Sequence, residues 1–175
     1  MIQNEKLESV YREELQDLYD AEMQIVNALP GMAQASSSPE LKAAFELHLA
    51  ETIQQVRRLE QVFAEMGEAP GSETSEGMRA LLAEGRLRIN SLPSSPVLDA
   101  ALIAAAQKVE HYEISGYGTA RTLAQMLNHG DAARLLQRTL DEEKETDSVL
   151  TEIAEAVIVG EELDDAETEG EEVAS

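Results

Sequence analysis

Gly67-Glu68-Ala69-Pro70-Gly71 and Leu92-Pro93-Ser94-Ser95 bracket the stretch whose reading decides the fold. Gly and Pro at both ends break any helix there, and about Ser75 to Ile89 between them keeps a short helical pattern. Working outward, each flank reads as two long helices joined by a tight turn. On the N-terminal side the first helix runs from about Glu5 to Ala35, with Leu7, Tyr11, Leu18, Ile25 and Leu29 on one stripe. Pro30 and Gly31 are expected to kink it or end it early. Ser36-Ser37-Ser38-Pro39-Glu40 stops and restarts the chain, with Ser38 as N-cap and Pro39 at the first helical position. The second helix then continues to about Met66.

On the C-terminal side Ser95-Pro96 repeats the capping device and opens a third long helix reaching Asn128. His129-Gly130-Asp131 forms a turn, with Asp131 expected to cap a fourth long helix that ends near Val159. Short, long, short connections mean two antiparallel hairpins joined by a crossover. The fold class is therefore all-α: a ferritin-like antiparallel four-helix bundle whose long central crossover holds a short extra helix. Composition agrees. Apolar residues are 43% of the 175, yet there are only two Phe, four Tyr and no Trp, which disfavours a β-sandwich.

Charge and cysteine count exclude whole classes of function. No cysteine means no disulfide, thiolate metal site or Cys nucleophile. A net charge of -22 repels phosphates and argues against nucleic acid. Eight acids and no base stand in Gly160–Ser175, so the chain divides into a bundle at 1–159 and an acidic tail at 160–175 expected to be disordered. No apolar run has membrane-spanning length and the N-terminus has no signal core, so a soluble cytoplasmic protein is expected.

Acids then appear where apolar residues belong. The third long helix reads Val109-Glu110-His111-Tyr112-Glu113, with Glu113 close to its apolar stripe and Glu110 at the edge. The fourth carries Glu143 and Asp147 four apart on one face. In the second, His48, Thr52 and Gln55 fall on the Leu41/Phe45/Leu59/Phe63 stripe, and Glu51 lies at its edge. Asp17-x-Tyr19-Asp20 of the first helix mirrors Glu110-x-Tyr112-Glu113. The steps from Asp17 to Glu51 and from Glu110 to Glu143 are 34 and 33 residues, so similar depths are expected. Glu22 and Glu14 compete with Asp17. Ionised carboxylates gathered in a low-dielectric interior repel one another, and divalent cations relieve them. Two iron or manganese ions suit such an oxygen-rich set; zinc prefers more nitrogen and magnesium keeps its waters. The expected ligands are Asp17, His48, Glu51, Glu110, Glu113, Glu143 and Asp147, with Gln55, Glu22 and Tyr112 outside them. Singly, each acid reads as an ordinary solvated residue; their coincidence in four helices carries the expectation.

The stretches Ser37-Ser38-Pro39-Glu40-Leu41-Lys42-Ala43-Ala44-Phe45, His48-Leu49-Ala50-Glu51-Thr52, Ala100–Gly118 and Thr139–Asp147 resemble the YciE/YciF-type ferritin-like stress proteins of bacteria over roughly residues 5 to 158. That resemblance implies a homodimer, a dinuclear metal centre and a role in stress responses. In the wider pattern the second and fourth helices carry Glu-x-x-His. Here His48 precedes Glu51 instead, and Asp147 stands where a histidine might. The implied function is a two-metal protein that reacts with oxygen or peroxide. The competing one is a non-catalytic dimeric bundle serving as an interaction or structural protein.

Overall fold

The computed structural model describes residues 2–172, with side chains described for 5–156. Five helices follow one another: α1 (Ile2–Ala35), α2 (Pro39–Glu65), α3 (Glu76–Ser91), α4 (Pro96–Met126) and α5 (Gly130–Glu172). The four long ones form the bundle. α1 packs on α2 and α4, α5 on α4 and α2, and α3 lies across α1 and α4. Among the described residues there is no strand, as the sequence leads one to expect.

The caps explain the turns. Ser38 Oγ accepts from Leu41 N at 3.2 Å and Ser95 Oγ from Leu98 N at 3.3 Å, each followed by Pro at the helix start. Asp99 ties these two starts together. Fully buried, it accepts from Ser37 N (2.8 Å), Ser37 Oγ (2.6 Å) and Ser38 N (2.8 Å), which docks the α1–α2 turn on the beginning of α4.

Three boundaries differ from expectation. α1 passes through Pro30 to Ala35. Leu29, Met32 and Ala33 on either side are buried, while Pro30 itself is exposed, so packing holds the last turns and water can reach the unbonded backbone. At the second turn Asn128 takes the left-handed conformation (φ 63°), and His129 N donates to Ala124 O at 2.9 Å, a Schellman-type stop. α5 therefore starts at Gly130, and Asp131 lies in its first turn rather than capping it. Finally, α5 runs to Glu172, past the end near Val159. The tail at 160–175 falls on residues whose side chains lie outside the description.

The interior has two apolar layers. One holds Ile25, Leu29, Leu41, Phe45, Leu98, Leu102 and Leu150; the other holds Leu15, Leu18, Leu59, Phe63, Tyr117, Leu136 and Leu140. Every long helix crosses from one layer to the other near its middle. The polar interior residues sit at that crossing.

Candidate metal centre

Each helix delivers its polar group at the crossing because its heptad-like spacing of inward positions is unbroken there. In α1 the inward series is Leu15, Leu18, Glu22, Ile25, Leu29; in α2 it is Leu41, Phe45, His48, Thr52, Gln55, Leu59. Thr52 Oγ1 is satisfied by bonding back to His48 O at 2.8 Å. α4 supplies Glu110 and Glu113, and α5 supplies Glu143. Glu22, Glu113 and Glu143 are fully buried, and Glu110 and His48 nearly so.

One ligand atom from each of His48, Glu110, Glu113 and Glu143 lies within 4.8 Å of the others. His48 Nε2 stands 3.3 Å from Glu110 Oε1, at ion-pair distance but outside hydrogen-bond geometry. Glu22 closes the cluster from α1, its Oε1 accepting from Tyr117 Oη. Glu143 Oε1 accepts from Gln55 Nε2, which also donates to Glu142 Oε2 at 3.3 Å. Glu142 is clamped from outside by Arg58, whose Nη2 donates to Oε1 at 2.8 Å while Nη1 donates to Thr139 Oγ1 at 3.0 Å.

The remaining polar atoms have no hydrogen-bond partner in the protein. Glu22 Oε2, Glu110 Oε2, both oxygens of Glu113, Glu143 Oε2 and both nitrogens of His48 are buried without a hydrogen-bond partner. Buried polar groups are almost always satisfied, and such a concentration of exceptions calls for an occupant. The electrostatics agree. Burial pushes the Glu22 carboxyl up to about 7, against the opposing pull of Tyr117 and His48. Burial and the facing carboxylates drive Glu113 and Glu143 well above the ordinary range. Burial works against charge on His48, but Glu110, Glu22 and Glu51 outweigh it and raise its pKa. Burial raises Glu142 too, yet Arg58, Gln55 and Arg138 hold it below the ordinary range. Arg58 thus compensates a neighbour of the cluster, not the cluster. The donor set fits hard divalent cations: carboxylate oxygens, one imidazole, no thiolate.

Of the residues expected from sequence, the structure brings together His48, Glu110, Glu113 and Glu143. It does not bring Asp17, Glu51 or Asp147 into that cluster. Asp17 accepts from Tyr112 Oη at 2.6 Å and lines a separate cavity with Glu13, Glu14 and Glu73. It is five residues from Glu22, which puts the two about 140° apart around the helix. Glu51 is half-buried at the rim of a cavity of ≈ 580 Å³ between α2 and α5. Asp147, a turn beyond Glu143, meets His111 at 3.2 Å and Gln107 at 3.4 Å near the surface. Glu22 takes the α1 place, and Glu14 lies with Asp17 outside the cluster. The signal for Glu22 was its position between Leu18 and Ile25; the Asp17/Glu110 repeat pointed elsewhere. His129, expected as a plain turn residue, stacks on Tyr11 with ring centroids 5.8 Å apart.

The cavity between α2 and α5 reaches His48 and Glu110 past Ala44, Phe45, Leu47, Val149 and Leu150. It is an opening on the cluster, with Phe45 and Leu150 of one apolar layer in its wall.

A two-hairpin bundle with a mid-chain crossover and acids from its helices meeting at the centre defines the ferritin-like class. Within it, the model described as Domain of unknown function (DUF892) matches residues 6–162, and the chain belongs to that family. Protein YciF of Escherichia coli (strain K12) is 46% identical over 153 residues, covering 85% of this chain and 90% of the relative. The crystal structure of the E. coli stress protein YciF matches with a TM-score of 0.84 and 44% identity, over 87% of this chain and 96% of that one. YcfI from Rhodopseudomonas palustris matches with a TM-score of 0.80 and 38% identity, over 83% and 92%. A ferritin-like, diiron-carboxylate protein from Bacillus anthracis str. Ames matches with a TM-score of 0.65 over 83% and 96%; at 16% identity this likeness shows the fold alone.

Proposed function

We propose that this chain is a cytoplasmic stress-response protein that holds two divalent cations, iron or manganese, in its central carboxylate cluster and reacts there with oxygen or peroxide. One observation carries the reading: carboxyl groups and an imidazole from four helices are buried together, and most of their oxygens and both ring nitrogens have no hydrogen-bond partner. Glu22, His48, Glu110, Glu113 and Glu143 would hold the ions, with Glu51 at the open side. Bound iron or manganese supplies one-electron chemistry toward oxygen or peroxide. The chain's own residues do the rest. The apolar layers keep bulk water from the cluster, and the Arg58–Glu142 clamp steadies Gln55. The α2–α5 cavity admits a small reactant on the His48–Glu110 side. The family relationship to a bacterial stress protein supports the physiological setting.

Protein purified without chelators and reloaded under nitrogen with ferrous or manganous salt is expected to hold two metals per chain by elemental analysis. The iron form is expected to change its absorbance on adding oxygen or peroxide. Less than about one metal per two chains after reloading would favour the non-catalytic bundle instead. A sizing column checks the homodimer.

A further inference from the structure

The buried acids are not equivalent. Glu22 has one oxygen held by Tyr117 Oη and the other free; Glu143 has one held by Gln55 Nε2 and the other free. Glu110 has Oε1 beside His48 and Oε2 free. Among the described residues of the cluster, Glu113 alone has two oxygens that meet neither a hydrogen-bond donor nor an ion-pair neighbour; Glu110, also without a hydrogen bond, keeps His48 at 3.3 Å. It also faces Glu22, Glu143 and Glu110 together.

The two holders are themselves fixed. Tyr117 is fully buried in an apolar layer, so its ring has no room to swing, and its single hydroxyl proton goes to Glu22. Gln55 is 1% exposed, and its amide meets two carboxylates on the same side, Glu142 and Glu143. Only the NH₂ end can face both, so its orientation is determined. An oxygen already accepting from a held donor is a poorer cation ligand than its twin, and an outer partner of this kind fixes which atom points inward.

We infer that Tyr117 and Gln55 are positioning residues that make Glu22 and Glu143 one-oxygen ligands, and that Glu113 is the residue shared between the two cations. This rests on the metal-binding reading above. Neither holder touches the ions. Each acts through the carboxylate it engages.

The test is manganous ion titrated into the full chain and followed by electron paramagnetic resonance, beside the melting of the metal-free proteins. Wild type is expected to take two ions with an exchange-coupled spectrum. Glu113→Gln is expected to take one ion, with an uncoupled six-line spectrum. Should that variant not fold, Glu113→Asp is expected to show the same loss of coupling. Tyr117→Phe and Gln55→Met are expected to keep two ions but bind them at least about tenfold more weakly. Their coupling spectrum is expected to shift, which a purely structural role would not produce. If wild type takes two coupled ions and all the variants match it in affinity and spectrum, the inference is overturned while metal binding stands. If wild type takes fewer than two, the inference falls, and with none the metal reading falls with it.

Discussion

At the scale of single residues the cluster is a set of misplaced protonation equilibria. Glu22 is pushed up to about 7 by burial, and Glu113 and Glu143 go well above the ordinary carboxylate value for the same reason. In the unfolded chain these groups titrate near 4.3. Between that value and their folded values the native state binds more protons than the unfolded one, so native stability falls as pH rises. His48, raised by its acidic neighbours, works in the same direction. The metal-free protein is therefore expected to melt at a lower temperature at pH 8 than at pH 6. The slope is at most about 1.4 kcal/mol per pH unit for each group titrating in that window. Manganous ion should flatten the dependence, because cations replace the protons. Scanning calorimetry at both pH values, with and without the ion, measures it. A metal-free protein that melts higher at pH 8 would contradict the burial account.

At the scale of helices, close approach is set by small residues, and α4 offers a matched pair. A Cβ on Gly116 would lie 2.8 Å from Leu18 Cδ2, whereas one on Gly118 meets nothing within 4 Å. Leu18 is 1% exposed and fills the layer beside the cluster, so its methyl has nowhere to retreat. Gly116→Ala is expected to lower stability by about 1–3 kcal/mol through overpacking at the α1–α4 contact. Gly118→Ala is expected to raise it by about 0.5–1 kcal/mol, since alanine loses less entropy in a helix. Urea unfolding of the two variants gives opposite signs if α1 and α4 meet as described. The same helix shows what the sequence reveals and what it hides. Ser38-Pro39 and Ser95-Pro96 announce their caps, and the Gly- and Pro-bounded crossover announces the topology, because those residues act on their own backbone. Glu113 and Glu143 are legible for a related reason: they interrupt an apolar series of regular spacing. Glu22 interrupts one too, but the match of Asp17-x-Tyr19-Asp20 to Glu110-x-Tyr112-Glu113 favours Asp17 in the sequence. Asp147 continues the spacing of Glu143 and yet ends near the surface with His111, a placement set by neighbouring helices that no single-helix pattern contains.

For the whole molecule, the cluster lies where two apolar layers meet, and the bundle would bury more hydrocarbon without it. Four carboxyl groups and an imidazole at that seam lose their hydration, and Arg58 is engaged by Glu142 instead of by them. In the absence of cations the seam should therefore destabilise the fold. Replacing Glu22, His48, Glu110, Glu113 and Glu143 together by leucine leaves no buried charge at the seam, keeps the inward spacing in all four helices and extends one apolar layer into the other. Leucine is close enough in volume that strain should be limited. The metal-free fivefold variant is expected to unfold at higher guanidinium than metal-free wild type, a gain of about 1–4 kcal/mol as seen when buried charges give way to hydrocarbon. It should also lose its response to manganous ion. A drop in the midpoint with an unchanged denaturant slope would instead mean that the acids and His48 form a stabilising network by themselves, and that the bundle needs no cation to explain them.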